Sequence, residues 1–137
     1  MSDTTRTATC VCGAVTATTT GEPARVLTCS CRDCRRKSGS AYSLSTYWPE
    51  DRVTLSGETG SYRRDAQDGR SLILHFCRTC GVSVYWHADF ARGQIGIGGG
   101  NFDVMDFAPP ETAYWTEQRP DWTLHLSDIP TKLRQER

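Results

Sequence analysis

Short extended runs, separated by turn-forming residues, recur along the whole chain. Some runs are rich in threonine and others alternate polar with apolar side chains, and both patterns favour β-strands. Glycine, proline and aspartate interrupt the runs, for example at residues 49–51 and 68–69. Strands are therefore predicted at residues 4–9, 14–20, 25–29, 41–48, 53–56, 61–64, 71–77, 82–87, 94–98, 113–116 and 122–126.

One segment departs from this pattern. Residues 32–38 contain no glycine or proline and end at Gly39, which is typical of a helix of one or two turns. The sequence therefore predicts a mainly β fold with one short helix. The chain has 137 residues and contains no repeat, linker or low-complexity segment, so residues 1–137 are expected to form a single domain.

The charge and hydropathy of the chain argue against two classes of partner. Sixteen basic residues balance sixteen acidic ones, which leaves no long-range attraction to nucleic acid or to an anionic membrane. The longest aliphatic run, at residues 72–74, is far short of the roughly 20 residues that span a bilayer. Residues 1–4 lack the features of a signal peptide. We therefore expect a cytoplasmic protein that binds neither nucleic acid nor membrane.

Seven cysteines in a chain with few large apolar residues point to a metal protein. Ile, Leu, Val and Phe total 23 residues, which makes a thin core for a domain of this length. An odd number of cysteines without a signal peptide disfavours a disulfide framework. A structural zinc site contributes on the order of 10–16 kcal/mol to the folding of small domains, and such an ion would compensate for the thin core.

Four of the cysteines form two similar pairs, each followed by glycine. Cys10 and Cys12 precede one glycine, and Cys77 and Cys80 precede another. Glycine allows the tight turn that aims backbone amides at metal-bound sulfurs. Together the four thiolates would make a closed, structural zinc site. The alternatives are a redox dithiol at Cys77 and Cys80, or buried cysteines that bind nothing.

The other three cysteines lie within six consecutive residues. Cys29, Cys31 and Cys34 supply three ligands and leave one coordination position open, which is the arrangement of a catalytic zinc. The seven cysteines therefore predict two Zn²⁺ ions per chain, one in each kind of site.

The cysteine motifs resemble those of a known family, the glutathione-dependent formaldehyde-activating enzymes, which share their domain with centromere protein V. The resemblance covers almost the whole chain. Its motifs are CSCRDCRRKSGS at residues 29–40, FCRTCG at 76–81, the GGGNFD turn at 98–103 and the aromatic-rich segment 114–122. One departure is Ser30, since the family often has histidine between the first two cysteines of the central cluster.

The resemblance implies a β-tent zinc-binding fold with a four-cysteine structural site and a three-cysteine catalytic site. It also implies the reaction, a carbon–sulfur lyase of the S-(hydroxymethyl)glutathione synthase type. The substrate would be the adduct of a small thiol, such as glutathione, with an aldehyde such as formaldehyde. Zinc would either bind the substrate sulfur as a thiolate or polarise the aldehyde oxygen.

Other side chains are weaker candidates for the site. Basic residues next to the open site could hold a substrate carboxylate, or they could form a solvated helix face. The histidines could act as acid, base or fourth ligand, although none has ligand spacing to a cysteine cluster. Aromatic residues are expected to form the core, with one or two lining a pocket. These candidates are Arg32, Arg35, Arg36, Lys37, Arg63, Arg64, His75, His87, His125, Tyr42, Tyr47, Trp48, Trp86, Phe102, Trp115 and Trp122.

A binding module similar to a zinc ribbon is the alternative function, without catalytic activity. Paired cysteine knuckles and the basic segment 32–37 would suit recognition of nucleic acid or protein. The balanced net charge argues against it, and thiolate ligands would make the metal-loaded protein more acidic still.

Overall fold

A computed structural model describes residues 3–66 and 68–135. Within these residues the chain forms ten β-strands and one α-helix. They are β1 (Thr5–Thr9), β2 (Thr16–Thr20), β3 (Arg25–Cys29), α1 (Arg32–Ser38), β4 (Ser43–Pro49), β5 (Val53–Ser56), β6 (Thr59–Asp65), β7 (Ser71–Cys77), β8 (Ser83–Ala88), β9 (Gln94–Gly98) and β10 (Thr112–Tyr114). Short 3₁₀ helices occupy Glu50–Arg52, Gly99–Asn101, Thr116–Gln118 and Asp121–Asp128.

The strands form two sheets. Strands β1, β2 and β5 make a three-stranded antiparallel sheet in that order, and the first pair places threonine opposite threonine, as at Thr7 and Thr18. The other seven strands make a second sheet in the order β10-β3-β4-β9-β8-β7-β6. Strands β10 and β3 pair in parallel, and the remaining neighbours in this sheet are antiparallel.

The main core lies on the face of the seven-stranded sheet that meets the three-stranded sheet. Trp48 of β4 and Ile97 of β9 are fully buried there, together with Ala17 of β2 and Val15, which immediately precedes β2. The Trp48 indole N–H donates to the Thr46 hydroxyl, so the buried indole leaves no polar atom unsatisfied. This core fixes the position of the central strands.

The opposite face of the seven-stranded sheet carries a smaller apolar cluster. Successive side chains of a strand point to opposite faces, so Tyr47 and Trp86 lie on this second face with Leu27 and Leu72. The Trp86 indole N–H donates to the Tyr47 hydroxyl at 3.2 Å. The two rings make a T-shaped contact with their centroids 6.1 Å apart.

The absence of a side chain at Gly96 leaves room for this ring contact. Gly96 pairs with both Tyr47 of β4 and Trp86 of β8, so it lies between the two rings. A Cβ atom at this position would lie 2.1 Å from the Trp86 indole nitrogen. The indole therefore crosses the strand where the side chain is missing, and it forms part of the cavity described below.

The predicted mainly β fold with a short helix after the central cysteine cluster is confirmed. The prediction of a strand at residues 122–126 is wrong, because Asp121–Asp128 is 3₁₀-helical. The side chains of Trp122, Leu124 and Leu126 are exposed there. The predicted strand at 113–116 is shorter, since it ends at Tyr114 and a 3₁₀ turn begins at Thr116. None of the helices in the described residues is long and apolar enough to cross a membrane.

Candidate metal centres and the adjoining cavity

The four-cysteine cluster joins the two sheets. Cys10 and Cys12 lie in the turn between β1 and β2, whereas Cys77 ends β7 and Cys80 lies in the turn before β8. All four Sγ atoms lie within 4.8 Å of one another. The Cys10–Cys12 and Cys12–Cys77 sulfur pairs are each 3.6 Å apart. The sequence-predicted pairing of these two segments is therefore present in the structure.

Backbone amides surround these sulfurs. The Val15 N–H donates to Cys10 Sγ at 3.3 Å, and the Thr79 N–H donates to Cys77 Sγ at the same distance. Hydrogen bonds from the backbone N–H groups of Cys12 and Val82 lower the pKa of the Cys80 thiol to about 6. These contacts favour the thiolate form that binds metal.

The spacing of the four sulfurs fits a zinc ion. A tetrahedral Zn²⁺ with Zn–S bonds of about 2.3 Å has sulfur–sulfur edges of about 3.8 Å. The two 3.6 Å pairs are close to that value. Gly13 and Gly81, the glycines that follow the two cysteine pairs, both have a positive φ, as the tight turns around the sulfurs require.

The three-cysteine cluster lies where β3 passes into α1. Cys29 ends β3, Cys31 is the N-cap of α1, and Cys34 lies in the first turn of this helix. Cys31 Sγ accepts the Cys34 backbone N–H at 3.3 Å, and the three Sγ atoms lie within 4.8 Å of one another. The helix start therefore brings together three ligand atoms from six residues, and the donor set suits zinc.

The environment of Cys34 favours its thiolate form. A hydrogen bond from the Cys29 thiol lowers the pKa of Cys34 to about 5 and raises the pKa of Cys29. The guanidinium of Arg64, on strand β6, also contacts this sulfur, with Nη2 3.6 Å from Cys34 Sγ. A cation from a strand distant in sequence thus contacts the cluster.

The three-cysteine cluster opens onto a cavity of about 400 Å³, whereas no cysteine of the other cluster lines it. Its aromatic lining consists of Tyr47, Trp86, Phe90, Tyr114 and Trp115. Its cationic lining, among the described residues, consists of Arg25, Lys37, Arg64, Arg70 and Arg92, with the single carboxylate of Asp68. The cavity is therefore partly apolar and strongly cationic.

Helix α1 contributes Lys37 to the cavity wall. The Lys37 ammonium lies 3.4 Å from the centroid of the Trp86 ring, which is a cation–π contact. Burial lowers the pKa of Lys37 to about 8, and the neighbouring charge of Arg64 acts in the same direction. An anion bound in this space would relieve the repulsion between these two cations.

Two other arginines that line the cavity have partners of their own. Arg25 donates to the Tyr114 hydroxyl at 2.8 Å. Arg70 pairs with Asp68, and its guanidinium lies 4.5 Å from the centroid of the Phe90 ring. These contacts hold both guanidinium groups at the cavity.

Only some of the basic candidates near the open site line the cavity. Lys37 and Arg64 line the cavity, whereas Arg32, Arg35 and Arg36 do not. The Arg35 guanidinium donates to the Ser30 carbonyl at 3.0 Å and so has a local structural role. Sequence reasoning missed Arg25, Arg70 and Arg92. Arg70 and Arg92 lie in loops far from the cysteines in sequence. Arg25 lies four residues before Cys29 on strand β3, and this even spacing, which places both side chains on one face of the strand, could have indicated it.

The histidines lie outside both cysteine clusters and outside the cavity lining. His75 Nε2 and His87 Nδ1 form a hydrogen bond of 3.0 Å across strands β7 and β8. His125 is 3.6 Å from Asp128 within the last 3₁₀ helix. None of the three histidines is positioned as a fourth ligand in the structure.

The aromatic candidates lie in different parts of the structure. Trp48 and Phe102 belong to the main core, and Tyr47 and Trp86 are buried at the cavity. Trp115 lines the cavity with a left-handed backbone, at a φ of 55°. Trp122, expected in the core, is 54% exposed. Tyr42 is half-buried outside both core clusters.

Comparison with known proteins identifies the family. The family model described as glutathione-dependent formaldehyde-activating enzyme matches residues 5–118, and the chain belongs to this family. The match includes all seven cysteines.

A structural comparison supports the fold alone. A crystal structure of a Rhodobacter sphaeroides protein, solved as a structural genomics target, superposes with a TM-score of 0.57 at 20% sequence identity. The superposition covers 79% of this chain and 98% of the other. A search of curated proteins gave no significant match.

Proposed function

We propose that this protein is a zinc-dependent carbon–sulfur lyase that makes and breaks the adduct of a small thiol with an aldehyde such as formaldehyde. The observation that carries the proposal is the difference between the two cysteine clusters. The four-cysteine cluster joins two sheets away from the cavity, whereas the three-cysteine cluster faces a cavity large enough for a small molecule.

Each cluster would hold one Zn²⁺. Cys10, Cys12, Cys77 and Cys80 provide the four thiolates of a closed structural site. Cys29, Cys31 and Cys34 provide three thiolates, and zinc bound to them would supply a Lewis-acidic position for a substrate sulfur or oxygen.

The reaction consists of one carbon–sulfur bond formation and one proton transfer. The thiol sulfur forms a bond to the aldehyde carbon, and the proton of the thiol ends on the former carbonyl oxygen; the reverse step breaks the same bond. The cationic wall of the cavity favours the thiolate, which is the nucleophile, and would also hold substrate carboxylates. Glutathione, named in the family description, carries such carboxylates.

The aromatic and aliphatic side chains of the cavity have a separate role. Leu27, Tyr47, Leu72 and Trp86 form a rigid apolar surface beside the cysteines. Such a surface excludes water from part of the cavity, which strengthens the interaction of the cations with an anionic substrate.

The proposal is tested by measuring exchange between ¹³C-formaldehyde and S-(hydroxymethyl)glutathione by NMR. The zinc-loaded protein should raise the exchange rate above the spontaneous rate in proportion to its concentration. The Cys34→Ser variant should not, while keeping the folded spectrum. Equal exchange with and without the protein, at confirmed occupancy of both metal sites, would contradict the proposal.

A further inference from the structure

Arg64 brings a guanidinium from strand β6 to the three-cysteine cluster, although thirty residues separate it from Cys34. Its side chain is only 12% exposed. Nη2 lies 3.6 Å from Cys34 Sγ, and Nη1 lies 3.4 Å from the Asp33 carboxylate. Within the described residues, the buried Nε atom has no hydrogen-bond partner. The guanidinium therefore keeps one unpaired polar atom beside the cluster, while Nη2 makes the contact with the cysteine sulfur.

The charge of the cluster explains why a cation at this place matters. Three thiolates and one Zn²⁺ carry one net negative charge, and a fourth thiolate makes the charge two. A neutral fourth ligand, such as imidazole, leaves the charge unchanged. Accumulated charge of one sign is costly in a partly buried site unless cations compensate for it. A cation in contact with the cluster should therefore favour an anionic fourth ligand over a neutral one.

Arg64 has the contact that this effect requires. Lys37 also lines the cavity, and its charge helps to lower the pKa of Cys34. Its ammonium, however, lies against the Trp86 ring, whereas the Arg64 guanidinium contacts the Cys34 sulfur. The neighbouring Arg63 belongs to the same strand, yet its side chain is 72% exposed and pairs with Asp65. A charge effect of strand β6 on the cluster should therefore come from Arg64 and not from Arg63.

On this basis, and resting on the proposed function, we propose that Arg64 is a specificity-determining residue that makes the open position of the Cys29, Cys31 and Cys34 site select a thiolate over a neutral ligand. Its contact with Cys34 places positive charge beside the cluster to which a thiolate would add negative charge. The interaction with Asp33 holds the guanidinium in place.

The test compares two small ligands that differ in the charge of the donor atom. Co²⁺-loaded protein is titrated with 2-mercaptoethanol, whose sulfur is its only group that becomes anionic on binding, and separately with imidazole. Absorption of the Co²⁺ centres reports ligand binding without any turnover. The variants are Arg64→Met, Arg64→Lys and the matched control Arg63→Met, each with its metal content measured.

We expect Arg64→Met to bind 2-mercaptoethanol about tenfold more weakly than the unmodified protein, as for loss of one charged hydrogen bond. Its affinity for imidazole should change less than about twofold, since that ligand adds no charge. Arg64→Lys should keep most of the preference for thiol, and Arg63→Met should match the unmodified protein.

Two results would overturn the role of Arg64: equal weakening of both ligands in Arg64→Met, or no weakening of thiol binding. If Arg64→Met does not take up the second metal ion, Arg64→Lys decides the question. Equal weakening of its thiol affinity and its imidazole affinity would count against the proposal. An unmodified protein that binds two Co²⁺ ions but no thiol would instead overturn the proposed function itself.

Discussion

Cys12 and Cys77 bring their sulfur atoms to within 3.6 Å, although 65 residues separate them in the sequence. Cys12 belongs to the turn between two strands of the smaller sheet, and Cys77 ends a strand of the larger one. A metal ion bound here would cross-link the two sheets. Cys29, Cys31 and Cys34, by contrast, lie in one short segment. The two sites should therefore respond differently to loss of one ligand.

Replacing Cys80 with serine should destabilise the whole fold. The substitution leaves three ligands in the site that joins the sheets, and we expect a loss of several kcal/mol in the free energy of unfolding, on the order of a large single-mutation effect. Thermal unfolding followed by circular dichroism, with the zinc content of each sample, measures this loss. Thr79→Ser is the matched control, since the exposed Thr79 contacts Cys77 through its backbone N–H.

Replacing Cys31 with serine should leave the fold intact. Cys31 is the N-cap of α1 and accepts the Cys34 backbone N–H, and serine is among the preferred residues at that position. We expect a melting temperature within a few degrees of the unmodified protein, one zinc ion per chain, and loss of thiol binding. Unfolding of Cys31→Ser beside a folded, inactive Cys80→Ser would show that the two roles are reversed.

Replacing Gly96 with alanine should damage the cavity more than the metal sites. The new Cβ atom would lie 2.1 Å from the Trp86 indole nitrogen, so the ring that contacts Tyr47 and Lys37 must move. Overpacking of this kind typically costs about 1–3 kcal/mol in the free energy of unfolding.

The Gly96→Ala variant should therefore unfold at a lower denaturant concentration and bind thiol more weakly, with both zinc ions retained. Gly100→Ala is the control, because a Cβ atom at Gly100 meets nothing within 4 Å. If both variants have the same unfolding midpoint and thiol affinity as the unmodified protein, Trp86 does not have the role assigned to it.

The sequence predicted the parts of the structure that depend on local chemistry. Cysteine spacing indicated which short segments supply ligands, because cysteines two or three residues apart lie close together in a turn or at a helix start. The matching Cys–Gly motifs at Cys12 and Cys80 indicated that the two distant pairs belong to one site. Gly39 correctly marked the end of α1, where its left-handed backbone forms the C-cap. The short strands followed from their threonine-rich or alternating composition.

Features that depend on distant contacts were not predictable in the same way. Trp122, Leu124 and Leu126 alternate as in a strand, yet this segment is 3₁₀-helical in the structure and their side chains remain exposed. The cationic cavity was missed for a related reason. Arg70 and Arg92 lie in loops far from the cysteines in sequence, and they approach the cavity only through the folding of the larger sheet, which residue spacing does not encode. Arg25 is different, because it begins strand β3, which Cys29 ends, and its spacing was a usable signal.

The central claim is that a thiol binds at the three-cysteine cluster and not at the four-cysteine cluster. The most direct measurement is a crystal structure of the zinc-loaded protein soaked with selenocysteamine, with anomalous data collected at the zinc and selenium absorption edges. Our account predicts two zinc peaks per chain and one selenium peak at bonding distance from the zinc beside Cys29, Cys31 and Cys34. A single zinc peak at Cys10, Cys12, Cys77 and Cys80, or two zinc peaks with no selenium at the three-cysteine site, would contradict it.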